Sequence, residues 1–468
     1  MQIYNTLTQS KQLFTPINEN EVKMYVCGPT VYDKGHLGHG RSMIAFDVIR
    51  RYLQYKGYTV KFVTNYTDID DKMIERADRE GVTVAKLADL IKEFYERDFG
   101  RLNILKPDAR PLATEYIEEM LTMIKTLIKK GHAYELADGI YFDVKTFPGY
   151  GKLSKQDLDD LQAGARIEVD KTKRNPQDFV LWKVKKEGEP SWVDSEGIIP
   201  EGRPGWHIEC SAMTWSLLGE TFDIHAGGAD LMFPHHECEI AQSEACFGET
   251  MANFWLHNGY VKIDGEKMSK SLNNFLTLEG IFEEYDPLVV RYALMSNHYR
   301  GPIDFSVDFL VQAGNSLQRI RDFVSRLERY AQSGLVLSLD QVVSRDFAKE
   351  LEEQFVLAMD DDFEVSRALA AIFTMITDVN VHLDKQELTP EQAASLLVVL
   401  QRIDTIMACI FVEDDEIPAE IMDLLRMRDM ARQAKDYRLA DSLRDQINEA
   451  GYLLEDIKGE TVVKRKLV

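Results

Sequence analysis

Two short runs of residues carry the chemistry of phosphate handling. His36-Leu37-Gly38-His39 lies where an alternating apolar segment, residues 22–27, ends at Gly28-Pro29 and a helix-patterned segment begins. The first turn of such a helix leaves backbone N–H groups without partners, and its dipole favours an anion there. The two imidazoles, three residues apart, would share a face, and Gly38 would let a nucleotide base approach the backbone. A helix start that happens to contain two histidines is the plain alternative. Lys267-Met268-Ser269-Lys270 follows an Asp264-Gly265 turn and precedes Ser271-Leu272-Asn273-Asn274, which places it on an exposed, mobile loop. Two ammonium groups there could close on a polyphosphate and stabilise charge on departing pyrophosphate. By itself the tetrapeptide could equally be a solvated lysine loop. No Gly-x-x-x-x-Gly-Lys-Ser/Thr run is present, so any ATP must be held in another way.

A third set, Cys27, Cys210, His235 and Glu239, has the chemistry of a metal site. His235 and Glu239 are four residues apart on a helix expected to open at Pro234, which puts both on one face. Cys27 falls at a strand end and Cys210 near a helix start, positions that converge on the ligand side of a parallel sheet. Each residue has an ordinary reading, a buried thiol or a surface His/Glu pair; together they predict one zinc ion per chain.

These residues need a scaffold. Residues 22–27, 43–55 and 58–64 read as strand, helix and strand, one βαβ unit of a parallel sheet. Ile117, Met120, Leu121, Ile124, Leu127 and Ile128 then form one helix face, leading into a strand-rich stretch that interrupts the sheet. Strand and helix resume at residue 206, and residues 260–265 read as a hairpin. From residue 309 the chain is nearly all helical, with Leu317, Ile320, Val324 and Leu327 as a core stripe and Arg319 and Arg326 opposite. Residues 411–420, acidic and containing Pro418, read as a linker. At 468 residues, with 45% apolar and 28% charged side chains, the chain fits about three soluble domains. No apolar run is long enough for a membrane span, and no secretory signal is visible. Five widely spaced cysteines suit reduced thiols, so a cytoplasmic protein is expected. The net charge of -23 excludes non-specific affinity for nucleic acid and restricts any RNA contact to local basic patches.

Cys27-Gly28-Pro29-Thr30-Val31-Tyr32-Asp33 running into His36-Leu37-Gly38-His39 resembles the signature of the cysteinyl-tRNA synthetases. The resemblance continues through Asn65-Tyr66-Thr67-Asp68, Gly205-Trp206-His207-Ile208-Glu209-Cys210, Gly227-Gly228-Ala229-Asp230 and Lys267 to Ser271, in order and over essentially the whole chain. It implies an α/β architecture: a Rossmann-type parallel-sheet catalytic domain (1–110 and 205–260) split by a connective insertion (111–204). A lysine-loop and stem-contact region (261–308), an α-helical bundle meeting tRNA (309–412) and a small C-terminal anticodon domain (421–468) would follow. The implied reaction joins L-cysteine and ATP, with Mg2+, into cysteinyl adenylate, and then charges the terminal ribose of tRNA-Cys; a monomer is expected. His36 and His39 would act at the α-phosphate, Lys267 and Lys270 on the transition state and pyrophosphate, and Asp230 on the ATP ribose. Thr67 and Trp206 would line the amino-acid pocket. Leu37 stands where the family more usually has Ile. Cys238 stands where Asn is common and lies within reach of the face carrying His235, although Glu239 is the favoured fourth ligand.

Zinc has a purpose here that is independent of the resemblance. Serine differs from cysteine by one atom, and pocket shape discriminates small changes by only about 10- to 200-fold. Zinc prefers a soft thiolate to a neutral hydroxyl, so substrate sulfur as an added ligand would make the metal a selectivity filter. For RNA, Arg319, Arg326 and Arg329 are candidate phosphate contacts. Tyr437, Asp441 and Arg444 share a helix face able to stack on and hydrogen-bond an unpaired base. Residues 422–468 hold ten Lys/Arg and nine Asp/Glu, a local net charge of +1. The rival readings are a ligase passing activated cysteine to a small-molecule amine and a non-enzymatic RNA-binding relative.

Overall fold

The computed structural model describes residues 1–156, 172–263, 265–267, 276–333, 343–411, 418–457 and 460–465. The chain divides into two compact units. The first comprises Met1–Ile281, Leu294–Phe305 and Leu351–Ala371; the second comprises Phe282–Ala293, Ser306–Glu350 and Ile372–Val468.

The first unit begins with a hairpin, β1 (Gln2–Asn5) and β2 (Ser10–Leu13), and continues into β3 (Glu21–Val26), α1 (Leu37–Tyr55) and β4 (Thr59–Thr64). The strand pattern of residues 22–27 and the helical spacing of Ile44, Val48, Ile49, Tyr52 and Leu53 are realised here, and all five of those helix residues are buried. Two arginines of α1 are buried as well. Arg41 donates to the carbonyls of His298 (2.7 Å) and Tyr299 (3.0 Å), and Arg50 to that of Lys106 (2.7 Å), so neither guanidinium is left unsolvated without acceptors.

After α2 (Asp71–Glu80) and α3 (Val84–Arg101) comes the interrupting segment. It consists of α4 (Ile117–Lys130) and an antiparallel sheet of β5 (Ala133–Leu136), β6 (Gly139–Phe142), β7 (Phe179–Val184) and β8 (Gly202–Pro204) in that order. Met120, Leu121, Ile124 and Leu127 pack with Phe142, Leu181 and Trp182 in one core, as the spacing on α4 requires.

The chain returns through α5 (Trp206–Leu218), β9 (Phe222–Gly228), α6 (Glu237–Phe247) and β10 (Ala252–Asn258) to complete a four-stranded, wholly parallel sheet ordered β10-β9-β3-β4. Strand order reverses between β3 and β9: the chain leaves β3 towards one edge and β9 towards the other. In open parallel sheets the crevice beyond the carboxyl ends of the strands flanking such a switch is the ligand site. Cys27 follows β3 there, and its N–H donates to Ala226 O at 2.9 Å. A hairpin of β11 (Val261–Ile263) and β12 (Glu266–Lys267) follows, then α7 (Leu278–Glu284), α8 (Pro287–Met295) and β13 (Ile303–Phe305), which joins β11 in parallel.

The second unit is helical through α9 (Val307–Ala331), parts of α10 (Phe347–Met359) and α11 (Val365–Asp384), and α12 (Pro390–Met407). Leu317, Ile320, Val324 and Leu327 are all buried on α9. It ends in α13 (Ala419–Gln433), α14 (Tyr437–Glu449) and a hairpin of β14 (Tyr452–Ile457) and β15 (Glu460–Arg465), around a small core of Ile421, Leu425, Ile447 and Val463. No helix among the described residues is long and apolar enough to cross a membrane.

Candidate active site and metal centre

Cys27, Cys210, His235 and Glu239 converge: one donor atom from each lies within 4.8 Å of the others, and all four residues are buried. Cys27 Sγ is 3.8 Å from Cys210 Sγ and 3.5 Å from Glu239 Oε1, and His235 Nε2 is 3.1 Å from Glu239 Oε1. A tetrahedral ion with bonds of about 2.3 Å to sulfur and about 2.0–2.1 Å to nitrogen or oxygen requires edges of about 3.8, 3.5 and 3.3 Å for these three pairs. The donor set therefore fits a metal ion.

The surroundings agree with that fit. His235 Nδ1 lies 2.9 Å from His207 Nδ1, so its other nitrogen is the one presented to the donor set, held by an outer hydrogen bond as metal-bound imidazoles are. Burial pushes His235 down to about 3 and His207 to about 4, keeping both rings neutral. Burial pushes the Cys27 thiol well up, helped by Cys210 and Glu239 beside it. The hydrogen bond from Cys27 works the other way on Cys210, yet burial and Glu239 leave that thiol raised too. Three groups that become anionic on losing protons, enclosed together, repel one another until a divalent cation joins them.

A second set, Cys27, His225, His236 and Glu239, overlaps the first. Its edges fit less well. His236 Nε2 is 4.0 Å from Glu239 Oε1, and His225 Nε2 is 2.8 Å from Glu239 Oε2, a hydrogen bond rather than a ligand edge. We therefore assign His225 to the outer shell, fixing the carboxylate whose other oxygen faces the cysteines. Gly227 makes room for His236: a Cβ there would meet its ring at 2.9 Å.

Phe233 is the one non-helical residue within Met232–His236 (φ -138°, ψ 133°), so helical backbone opens at Pro234 as the sequence suggests and runs on into α6, and His235 and Glu239 keep their four-residue step. Cys238 does not compete with Glu239, because its thiol turns to the Tyr150 hydroxyl (3.5 Å) in the core beneath the insertion.

The expectation of open N–H groups at the start of α1 is corrected at His36. Its Nδ1 accepts from the N–H groups of Gly38 (3.0 Å) and His39 (3.3 Å), so the first-turn donors expected to hold an anion are capped by the ring itself. With Nδ1 accepting, the proton of a neutral His36 sits on Nε2. His39 Nδ1 faces the Tyr95 hydroxyl (3.1 Å) and the His36 N–H (3.4 Å), and the two imidazoles stack at 3.7 Å.

Lys267 belongs to the backbone of β12, paired with Lys262; Lys270 lies outside the described residues. The segment that follows is fastened to the histidine motif. Leu37 N–H donates to Leu276 O (3.2 Å), Leu278 N–H donates to Gly35 O (2.9 Å), and Glu279 pairs with Lys34 and with Arg97 (3.0 Å). Asp230 is exposed just beyond β9. Trp206, at the start of α5 and 39% exposed, lays its ring 4.3 Å from that of His235. Thr67 is buried, bridging to the loop after Cys27 through its N–H to Pro29 O (3.2 Å) and its carbonyl to Val31 N–H (3.0 Å).

Residues 13–315 match the model of the class I (C) tRNA synthetase catalytic domain, 354–410 the DALR domain, and 414–463 the cysteinyl-tRNA ligase anticodon binding domain. The cysteine–tRNA ligase of Caldicellulosiruptor saccharolyticus is 46% identical over 99% of this chain and 100% of its own. The chain belongs to the cysteine–tRNA ligase family. Another such ligase, from Pseudomonas fluorescens, is 47% identical over 98% of both chains. A solved methionyl-tRNA synthetase of Mycobacterium tuberculosis shares the fold at 16% identity, with a TM-score of 0.65 over 90% of this chain and 96% of that one.

Within this ligase fold the arginines of α9 have structural partners. Arg319 lies over the Phe373 ring (5.3 Å) and donates to Thr377 (3.3 Å), while Arg326 donates to Asn380 (2.6 Å) and pairs with Asp384. All four partners are on α11, yet Arg319 is exposed and Arg326 half-buried, so the two side chains lie on the solvent-facing edge between α9 and α11. Arg329 is exposed. Tyr437, Asp441 and Arg444 are exposed on α14, on the face next to the one formed by buried Ala440, Leu443 and Ile447. Sequence reasoning missed Glu209, His207, His225, His236 and His257. Five of the ten histidines gather around the metal set, and His225, flanked by apolar Ile224 and Ala226 in β9, was the available signal.

Proposed function

We propose that the chain activates L-cysteine with ATP and Mg2+ as cysteinyl adenylate, releases pyrophosphate, and passes the cysteinyl group to the 3′-terminal ribose of tRNA-Cys. The observation that carries this reading is the Cys27–Cys210–His235–Glu239 set, whose edges suit zinc, in a chain matched end to end by cysteine–tRNA ligases. Zinc held there supplies a soft Lewis acid that favours the substrate thiol over the hydroxyl of serine.

The chain's own side chains do the rest. His36 and His39 direct Nε2–H donors to the α-phosphate, stabilising charge as the carboxylate attacks. Gly38 leaves space for the adenine, and Asp230 accepts from the ribose. Lys267 and Lys270 close on the β- and γ-phosphates and hold the departing pyrophosphate. Trp206 walls the amino-acid pocket against water, and Thr67 hydrogen-bonds the amino acid. The anchoring of residues 276–279 to residues 34–37 supports this division of labour, since it ties one end of the lysine loop to the histidines. We read residues 1–110 and 205–260 as the catalytic core, 111–204 as its insertion, 261–308 as the loop and stem-contact region, 309–412 as the tRNA-meeting bundle and 421–468 as the anticodon reader. On the last of these, Tyr437 stacks on a base while Asp441 and Arg444 bond its edge; Arg329 is the free phosphate contact on α9.

Cysteine-dependent ATP–pyrophosphate exchange, followed by transfer of radiolabelled cysteine, tests the proposal. Label on tRNA-Cys and exchange with cysteine but not serine are expected. Label recovered only on a small amine, or equal exchange with serine, refutes it.

A further inference from the structure

Glu209 is a buried carboxyl group without a cation. It is 1% exposed, between Trp206 and Cys210 in the first turn of α5, where the helix dipole favours a negative charge. Among the described residues no Lys, Arg or His nitrogen is within 4.0 Å of it, and its one hydrogen bond among them comes from Thr67 Oγ1, at 2.9 Å to Oε2. Other buried acids of this unit are compensated. Asp362 meets Arg300 at 2.6 Å, Asp194 meets Lys125 at 2.8 Å, and Glu237 accepts from the backbone of Leu153 and Ser154. Burial with so little compensation pushes this carboxyl well above the usual carboxylate range.

The bond also fixes the polarity of Thr67. Its hydroxyl hydrogen is committed to Glu209, and Asn65 Nδ2 approaches one lone pair at 3.4 Å. What Oγ1 has left to offer an entering molecule is an acceptor. An ammonium group has three donors and no acceptor. Thr67 is 1% exposed; its backbone is hydrogen-bonded to the loop that follows Cys27 and its hydroxyl to the residue that precedes Cys210, so it is tied to the two segments that carry the cysteine donors.

We propose that Glu209 is the positioning residue for the α-ammonium group of the substrate: by accepting the Thr67 hydroxyl hydrogen it leaves Thr67 Oγ1 as an acceptor for an ammonium donor. This rests on the reading of Thr67 as part of the amino-acid pocket. Glu209 acts through Thr67, not on the reacting atoms.

Glu209→Gln tests it in the zinc-loaded, full-length enzyme. The amide preserves shape and can donate to Thr67, so that the hydroxyl hydrogen turns to the substrate. Three constants are read: KM for cysteine in pyrophosphate exchange, and inhibition constants for cysteamine, which keeps the ammonium, and for 3-mercaptopropionate, which lacks it. A lost hydrogen bond to a charged group corresponds to about 10- to 100-fold. The first two constants should rise together by that factor while the third and the zinc content stay unchanged. An equal rise in all three, or in none, overturns the proposal. If Glu209→Gln does not fold, Thr67→Val and Thr67→Ser carry the same test: Val should weaken only the amine-bearing ligands, and Ser should restore them. Thr67→Val with all three constants unchanged refutes the pocket reading itself. An amine-specific loss in Thr67→Val with none in Glu209→Gln refutes the role of Glu209 alone.

Discussion

The two overlapping donor sets make different predictions for cobalt substitution. The set containing Cys210 and His235 places two thiolates on the ion; the set containing His225 and His236 places one. The observed edges of 3.8, 3.5 and 3.1 Å favour the first, because 4.0 Å from His236 to Glu239 exceeds the edge of about 3.3 Å that two nitrogen or oxygen ligands span. Structural zinc sites bind with about 10–16 kcal/mol shared among four ligands, so loss of the Cys210 thiolate should cost roughly 3 kcal/mol, about 100-fold or more in affinity. Removing His225 breaks the 2.8 Å bond that holds Glu239 Oε2 and its ring stack on Trp255 (4.3 Å) but takes no donor from the first set, a change worth about 10- to 100-fold. Affinities alone separate these poorly, but spectra do not. In the cobalt-loaded protein, thiolate-to-metal absorption should fall by about half in Cys210→Ser and keep its intensity in His225→Asn and His236→Asn once saturated. Undiminished thiolate absorption in Cys210→Ser, together with loss of metal from His236→Asn, would refute the assignment and transfer the ligand role to the second set.

Further expectations follow from single contacts. Gly28→Ala would set a Cβ 1.7 Å from Asn65 O, a backbone atom that cannot swing aside; the displaced strand end should cost about 1–3 kcal/mol in urea unfolding and lower metal content through Cys27. Cys238→Ala should keep a full metal load by elemental analysis, since that thiol faces Tyr150. Asp362→Ala, which strips the partner from Arg300 (2.6 Å) and the acceptor from Tyr299 (3.0 Å) and the Tyr4 N–H (2.8 Å), should lose about 3–5 kcal/mol of stability. Burial alone would raise the Asp362 pKa, but hydrogen bonds from His298 and Tyr4 and the charge of Arg300 hold it below the ordinary value. Its stabilisation is therefore complete above about pH 4 and lost as pH falls through the lower folded value, and Asp362→Asn should flatten that limb of the stability curve. Tyr437→Ala with Arg444→Ala should lower the kcat/KM of tRNA charging by about 5- to 100-fold and spare pyrophosphate exchange; equal losses in both would count against an anticodon role for α14.

Local pattern made much of this molecule legible. The parallel unit of β3, α1 and β4, the helix face of α4 and the core stripe of α9 follow from apolar spacing, and the apolar residues that carry that spacing are buried apart from Ile128, which is half-buried at the end of the α4 face. His235 and Glu239 were readable because a four-residue step is a local fact. What stayed hidden depends on neighbours that periodicity does not name. Arg319 and Arg326 fall opposite the core stripe, yet α11 runs past that face and supplies Thr377, Asn380 and Asp384. The N–H groups of the α1 start were expected to be open, but a histidine can cap as well as catalyse, and His36 Nδ1 does so.

The outer shell was the least legible part, for a topological reason. Tyr25 and His225 are register partners across the switch between β3 and β9, strands about 200 residues apart in the chain. Glu209 matters only because the turn that carries Thr67 is bonded to the loop after Cys27. Closing a chain segment between Cys27 and Cys210, 183 residues apart, costs entropy that one sulfur–metal bond would not offset in the unfolded chain. The sheet and the core of α5 and α6 must therefore bring the donors together before a metal holds them. That order explains why side chains as unfavourable to bury as Glu209, Glu239 and five histidines can be collected at one place: the apolar core built around β3, β9 and α6 carries the cost of enclosing them.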